Sequence, residues 1–206
     1  MILEYSLVAL LSPLIGGVLA AFLGKLLGKI FVNVVTILGV TISFALSIII
    51  ALDIWESSAV LNQNIYTWLD IGNMSFHIGI LIDNLTASMM VVVTFVSLMV
   101  HVYTIGYMHD DPGYHRFFSY ISLFTFSMLS LVMSNNFLQL FFGWEAVGVM
   151  SYLLIGFWFT KESAIKANLK AFIVNRVGDL SLILGIGIIF SIIGSLDYYA
   201  VFSQSQ

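Results

Sequence analysis

Three ionisable residues lie inside long apolar stretches of the chain, where charge is costly. Glu145 is near the middle of residues 136–159, and Arg176 and Asp179 lie within residues 167–193. A charged side chain at the centre of a bilayer costs about 2.5–3.5 kcal/mol or more, and it is retained mostly where it pairs, carries protons or binds ions. These residues are therefore the first candidates for chemistry.

Their spacing predicts that the three side chains lie at one depth. The two apolar stretches are consecutive, so as helices they run antiparallel and share a turn near residues 160–163. The midpoint of Glu145 and Asp179 is residue 162, and that of Glu145 and Arg176 is near residue 160. Helices rise about 1.5 Å per residue, so residues equally far from a shared turn reach a similar level.

A polar stripe is predicted on the second of these helices. Asn168, Asn175 and Asp179 are separated by seven and four residues, so they share one helix face. Arg176 is three residues before Asp179 and borders that face. Lys170 lies near the start of the same helix. The stripe therefore leads from a basic end toward the middle of the membrane.

Two interpretations of this cluster remain open. Arg176 keeps its charge, so together with Asp179 it would tune the proton affinity of Glu145, as a proton relay requires. The alternative is a static buried ion cluster that holds two helices together. Gly148, one turn after Glu145, leaves room either for close helix approach or for water.

Composition identifies an integral membrane protein. The chain has 206 residues, of which 60% are hydrophobic and 9% charged, whereas soluble domains contain about 25% charged residues. Cysteine is absent, which excludes disulfides and Cys-based metal or redox sites. No basic patch typical of nucleic-acid binding is present.

The predicted fold class is all-α integral membrane, with about six transmembrane helices and a small β-hairpin. About 20 apolar residues cross a bilayer. Within the polar connection at residues 53–84, the segment IYTWLDIGNMSFHIGI predicts two short strands around Asp70 to Asn73. Trp55, Tyr66 and Trp68 suit a membrane interface. The predicted spans are residues 5–23, 30–52, 85–107, 117–133, 136–159 and 167–193.

The basic residues predict the topology. With six spans, five of the seven Lys and Arg residues fall in alternate loops on one side, and the opposite side has none. Positive-inside bias places the loops at 24–29, 108–116 and 160–166 in the cytoplasm or mitochondrial matrix, with both termini outside. No cation precedes the first apolar stretch, so it is a retained helix rather than a signal peptide. The five are Lys25, Lys29, Arg116, Lys161 and Lys166.

Other polar residues favour structural roles. His101 suits hydrogen-bonded packing better than a proton-transfer site. Asp83 suits a helix cap better than ion binding. The glycines at 185 and 187 lie inside a predicted helix and do not form a nucleotide loop.

Two blocks then resemble a known family. GWEAVGVMSYLLIGFWF at 143–159 and KAFIVNRVGDLSLILGI at 170–186 are similar to the antiporter-like subunit L, or chain 5, of proton-pumping NADH–quinone oxidoreductase, respiratory complex I. HVYTIGYMHDDPGYHRFFSYISLF at 101–124 and LIDNLTASMM at 81–90 resemble it too. The similarity extends over about residues 60–190.

The resemblance implies roles for matched positions. Glu145 corresponds to the functional glutamate of the fifth helix, Arg176 and Asp179 to the charged pair of the sixth, and Lys170 to a lysine at that helix's start. Such subunits translocate protons while NADH reduces quinone elsewhere. They carry no cofactor, and quinone, FMN, NADH and iron–sulfur clusters are expected on other subunits.

The resemblance also implies partners and organisation. The partners would be the lipid bilayer and other membrane subunits of complex I, especially the neighbouring antiporter-like subunit, in a bacterial or mitochondrial inner membrane. Expected regions are two N-terminal helices at 1–60, the family's N-terminal region at 61–133, and the start of the transporter domain at 134–206.

Family chains are considerably longer than this one, and their next helix, which is broken, carries the lysine that partners the glutamate. The expectation is therefore the N-terminal portion of such a subunit. Two alternatives remain open: a structural or assembly module without transport, and a subunit of a cation/proton antiporter.

Overall fold

The computed structural model describes residues 1–57, 59–71 and 74–204, and most of them are helical. The predicted helical class and the predicted hairpin are both confirmed. In chain order the elements are α1 Ile2–Ser57, β1 Leu61–Ile71, β2 Met74–Ile82, α2 Asn84–Tyr107, α3 Tyr114–Val132, α4 Phe137–Ile155, α5 Glu162–Ile193 and α6 Tyr198–Gln204.

Helix α1 is a pair of antiparallel limbs joined at Gly28. Only Gly28 within α1 has non-helical backbone angles, with φ 82° and ψ 179°. Glycine adopts positive φ without the steric penalty that a Cβ imposes. Ser43 Oγ donates a hydrogen bond of 2.7 Å to the carbonyl oxygen of Ala9 on the other limb. The first two predicted spans are therefore these limbs, and the predicted loop at 24–29 is a break in the helix at Gly28.

Glycines set the distance between the two limbs of α1. A Cβ on Gly39 would lie 2.7 Å from the carbonyl oxygen of Ser12, and one on Gly16 would lie 3.1 Å from that of Val35. Small residues let membrane helices approach at backbone distance, where van der Waals packing is strongest. The limbs therefore pack backbone to backbone.

Helix α3 packs between α1 and α2 and joins them by polar contacts. Ser119 Oγ donates to the carbonyl oxygen of Gly17 at 2.8 Å. His101 of α2 is fully buried, with Nδ1 2.8 Å from the carbonyl oxygen of Ser97 and Nε2 2.9 Å from Ser122 Oγ. Both ring nitrogens thus have partners, which supports the packing role predicted for His101.

Two apolar clusters fill the core at opposite ends of the bundle. One, near the β-hairpin, includes Ile54, Ile80 and Met133. The other, near the basic loops, includes Val32, Phe118 and Phe157. Fully burying such a side chain stabilises the fold by about 1.5–3 kcal/mol.

The β-hairpin is tied to the start of α4. Strands β1 and β2 pair antiparallel, from Leu61 opposite Ile82 onward. The side-chain amide of Gln139 accepts from the backbone N–H of Gly79 and donates to its carbonyl oxygen, both at 2.9 Å. Residues 72 and 73 of the predicted turn lie outside the described residues.

Two asparagines between α3 and α4 complete this attachment. Asn135 Nδ2 donates to Asn64 Oδ1 at 2.7 Å. Asn136 caps α4, because its Oδ1 accepts from the backbone N–H of Gln139 at 2.8 Å, and its Nδ2 donates to the carbonyl oxygen of His77 at 2.9 Å. The hairpin therefore fixes where α4 begins.

Among the residues that the structure describes, four helices are long and apolar enough to cross a membrane: α1, α2, α4 and α5. The predicted count of six spans treats the two limbs of α1 as separate spans and also includes α3. Helix α3 has 19 residues and is not among the four. That count stays a prediction. Helix α6 was not predicted at all.

Replacing Gly39 with alanine should push the limbs of α1 apart. We expect the free energy of unfolding to fall by about 1–3 kcal/mol, because the added methyl meets a backbone carbonyl that cannot move alone. Denaturant titration of the purified membrane protein measures this. Gly106→Ala is the matched control, since a Cβ there meets nothing within 4 Å. Equal stability of both variants would contradict the close packing.

Candidate functional site

Arg176 joins carboxylates from two helices. Its Nη1 lies 2.6 Å from Oε2 of Glu145 on α4 and 3.4 Å from Oδ2 of Asp179 on α5. The three side chains therefore lie at one level, as their spacing predicted. The shorter contact is a charge-assisted hydrogen bond, roughly twice as strong as a neutral one.

Trp144 is a fourth member of this cluster that the sequence argument missed. Its indole Nε1 donates a hydrogen bond of 2.9 Å to Oδ1 of Asp179. Helices α4 and α5 are thus joined by two parallel links, Trp144 to Asp179 and Arg176 to Glu145. A signal was present, because an indole N–H in mid-membrane needs an acceptor and Trp144 adjoins Glu145.

Glycines and aromatic rings set the positions of α4 and α5. A Cβ on Gly143 would lie 2.7 Å from Cα of Leu131, so α4 rests on the backbone of α3. The rings of Tyr152 and Phe172 meet edge to face, with centroids 5.5 Å apart. A Cβ on Gly148 would meet nothing within 4 Å among the described residues. Close helix approach therefore occurs at Gly143, and the face at Gly148 is open.

The three charged side chains of the cluster differ in their exposure to solvent. The side chain of Arg176 is 40% exposed, that of Glu145 23% and that of Asp179 10%. The guanidinium lies over the ring of Phe172, 5.0 Å from its centroid. Arg176 Nε is buried and has no hydrogen-bond partner in the described part of the chain. The guanidinium is thus bonded to Glu145 through Nη1, whereas its Nε makes no hydrogen bond within the described residues.

Lys170 does not join the cluster. It is exposed, and no carboxylate within residues 1–57, 59–71 and 74–204 lies within ion-pair distance of it. Lys166 pairs instead with Glu162, at 2.7 Å. On the predicted polar stripe, Asn168 is partly buried and Asn175 is exposed.

A cavity of about 690 Å³ extends from the hairpin end to the cluster. Its wall includes Trp144 and Gly178 beside Asp179, and it is mostly apolar elsewhere. At its other end lies Asp83, whose Oδ1 accepts from the backbone N–H of Thr86 at 2.7 Å. This confirms Asp83 as the cap of α2. An apolar space therefore separates the charged cluster from the hairpin end.

The arrangement offers Arg176 two ion-pair partners. One guanidinium lies within reach of two carboxylates, and Trp144 holds one of them. If Glu145 lost its charge, Asp179 would be the charged carboxylate still within reach of Arg176. The cluster is suited to charge-coupled proton movement.

A double-mutant cycle tests the link between Trp144 and Asp179. Trp144→Phe removes the N–H and keeps an aromatic ring, and Asp179→Asn removes the charge of the acceptor. Residues in contact show coupling of about 0.5–3 kcal/mol, so the effects of the two variants on the free energy of unfolding should not add.

The control for this cycle is Trp158→Phe combined with Asp179→Asn. Trp158 makes the same kind of bond elsewhere, with Nε1 donating to Oδ2 of Asp111 at 2.9 Å. Its effect should add to that of Asp179→Asn within about 0.5 kcal/mol. Additive effects for the Trp144 pair as well would contradict the link.

Two family models match the chain. Residues 68–118 match the N-terminus of chain 5 of NADH–ubiquinone oxidoreductase, complex I. Residues 134–205, which contain the whole charged cluster, match the transmembrane region of the NADH:quinone oxidoreductase/Mrp antiporter family.

Curated relatives agree with these models. NADH-quinone oxidoreductase subunit L of Neisseria meningitidis is 57% identical over 203 residues, covering 96% of this chain and 30% of the relative. NADH-ubiquinone oxidoreductase chain 5 of Dictyostelium discoideum is 42% identical over 197 residues, covering 96% and 29%. The chain thus spans about 30% of the length of these relatives.

A solved structure shares the fold. In the membrane-bound sulfane sulfur reductase, an archaeal respiratory membrane complex, one chain superposes with a TM-score of 0.75 at 21% identity, covering 96% of this chain and 30% of that one. The family matches identify an antiporter-like membrane protein, and the solved structure shares its fold. The chain is a homologue of subunit L, or chain 5, of NADH–quinone oxidoreductase, and it corresponds to the N-terminal part of that subunit.

Proposed function

We propose that this chain contributes to proton translocation coupled to electron transfer from NADH to quinone, as a membrane subunit of NADH–quinone oxidoreductase. The observation that carries the proposal is the sharing of Arg176 between Glu145 and Asp179 within apolar helices. The redox groups (NADH, FMN, iron–sulfur clusters and quinone) belong to other subunits. The partners are the other membrane subunits, especially the neighbouring antiporter-like subunit, and the lipid bilayer.

In this proposal Glu145 is the protonatable relay. A proton that reaches Glu145 removes its charge and weakens its bond to Nη1 of Arg176, now 2.6 Å long. The guanidinium then pairs more closely with Asp179, which lies 3.4 Å away and is held in place by Trp144. Release of the proton reverses the exchange. Arg176 and Asp179 thereby tune the proton affinity of Glu145.

Lys170 would assist proton entry from the basic end. It is six residues before Arg176, so it lies about 9 Å from that residue along the helix axis. Water molecules along the stripe of Asn168 and Asn175 would have to bridge this gap. The open face at Gly148 supports access of water to Glu145.

The proposed topology has six spans, with both termini on the outer side. The basic loops face the cytoplasm or mitochondrial matrix, following the positive-inside rule. Support comes from Lys25 and Arg116, which line one cavity together with residues 157–160, so the three basic loops gather at one end.

The proposed regions are 1–60, 61–133 and 134–206. The family match at 134–205 supports the last boundary, since it begins where the third region begins, and the match at 68–118 lies within the second region.

A structural module is the second candidate function. The two parallel links between α4 and α5 favour it, because such links hold helices together without any proton movement. A cation/proton antiporter subunit is a third candidate, favoured by the mention of Mrp antiporters in the matching family description.

Glu145→Gln in the assembled enzyme tests the relay. Glutamine keeps the size and hydrogen-bonding capacity but cannot carry a proton, so transfer along this path should slow about 10²-fold or more. We expect fewer protons translocated per electron, measured in vesicles by a pH-sensitive dye during NADH oxidation.

Glu162→Gln is the matched control, since Glu162 is exposed and pairs only with Lys166 among the described residues. It should leave the ratio unchanged. An undiminished ratio in Glu145→Gln would refute the relay and favour the structural module. Sodium-dependent proton exchange without NADH would favour the antiporter.

A further inference from the structure

Arg176 has one carboxylate on its own helix and one on the neighbouring helix, and it makes the shorter contact with the neighbouring helix. Asp179 follows three residues later on α5, a spacing at which oppositely charged side chains pair without help from another helix. Nevertheless, Nη1 lies 3.4 Å from Oδ2 of Asp179 and 2.6 Å from Oε2 of Glu145 on α4. A further contact of Asp179 accounts for this preference.

Trp144 supplies that contact. Its indole Nε1 donates to Oδ1 of Asp179 at 2.9 Å. An indole N–H can only donate, so it needs an acceptor such as this oxygen. The side chain of Asp179 is only 10% exposed, so little water can take the place of the indole. The bond therefore fixes the carboxylate and leaves its other oxygen at the longer distance from Arg176.

The hydrogen bond, rather than tight packing of the ring, is what Trp144 contributes to the cluster. Trp144 is 49% exposed, and it lines the apolar cavity of about 690 Å³. A smaller aromatic ring would therefore fit at this position without a clash, and it would lack the N–H. The effect of the bond can thus be separated from the effect of the ring.

The charged groups that face Glu145 come from α5, and they are Arg176 and Asp179. Helix α3, on which α4 rests, has its titratable residues near the basic loops, whereas Glu145 follows Gly143, which meets Leu131 near the other end of α3. The titratable residues of α3 are Tyr114, His115, Arg116 and Tyr120. The division of Arg176 between two carboxylates therefore decides which charge Glu145 meets.

The remaining neighbours of α4 near Glu145 are uncharged. The β-hairpin meets α4 at Gln139, which bonds to the backbone of Gly79, and at Phe142, whose ring lies 5.8 Å from that of Trp68. Further along α4, Tyr152 packs its ring against Phe172.

We propose that Trp144 is a positioning residue for the proton relay: by holding Asp179, it leaves Arg176 to Glu145 and so sets the pH range over which Glu145 exchanges its proton. This inference rests on the proposed relay function of Glu145. Trp144 acts through Asp179 and Arg176, and it exchanges no proton itself.

Trp144→Phe in the assembled enzyme tests the positioning role. Without the N–H, Asp179 can turn toward Arg176, and Glu145 then loses part of its cation and keeps its proton to a higher pH. We expect the alkaline limb of the pH profile of protons translocated per electron to move up by about one pH unit, as the loss of a nearby opposite charge does. The ratio is measured in vesicles with a pH-sensitive dye during NADH oxidation.

Two further variants separate positioning from a merely structural effect. Benzothienylalanine at position 144 keeps the shape of tryptophan and has sulfur in place of the N–H, so it should move the profile as Trp144→Phe does. In an Asp179→Asn background, Trp144→Phe should leave the profile where Asp179→Asn alone puts it, because no carboxylate is released. An equal shift in both backgrounds would overturn the proposal.

Trp158→Phe is the matched control, because Trp158 donates the same kind of bond to Asp111, away from the cluster. It should leave the pH profile unchanged. An unshifted profile in Trp144→Phe, together with a lowered ratio in Glu145→Gln, would overturn the positioning role and leave the relay standing. An undiminished ratio in Glu145→Gln would overturn the relay, and the positioning role with it.

Discussion

The pairing of Arg176 with two carboxylates is the interaction on which the α4–α5 unit depends. Both helices expose most of their apolar surface, so few buried contacts hold them together. Two hydrogen bonds link the helices instead: Arg176 donates to Glu145, and Trp144 donates to Asp179. Removing one partner would leave the other charge without its ion-pair partner, which weakens the contact between α4 and α5. The same groups that we propose for proton transfer therefore also hold the two helices in register.

The depth of that pairing is set at the far end of α4. Asn136 caps the helix while its side chain also binds the β-hairpin, and Gln139 adds a second attachment one turn on. Glu145 follows nine residues after Asn136, about 13 Å along the axis. A polar hairpin outside the apolar region thus determines where a charge lies within it. The short loop between α3 and α4 leaves little freedom for this distance to vary.

Much of this arrangement was predictable from the sequence, and the rest depends on side-chain orientation. Long apolar runs located α2 and α5 to within a few residues, and linear spacing placed Glu145 level with Asp179. Trp144 was missed because spacing gives depth but not rotation about the helix axis. The role of Lys170 at the basic entry side rests on the resemblance alone; its side chain is exposed, and no carboxylate of the described residues lies within ion-pair distance of it. Helix α6, YYAVFSQ, is only seven residues long, which is too short for a helical period to be recognised in the sequence.

The break at Gly28 bears on how the chain enters a bilayer. Each helix end leaves up to four backbone groups without partners, and hydrocarbon offers none. The break lies between Lys25 and Lys29 and lines a cavity at the basic end, so in the proposed topology these groups lie at the water-facing end of the limbs. Ser43 and Ala9 are already bonded across the two limbs. Chains fold from the N-terminus during synthesis. The first 57 residues can therefore insert as one helical hairpin. Helix α3, which comes later in the chain, then packs against limbs that are already paired.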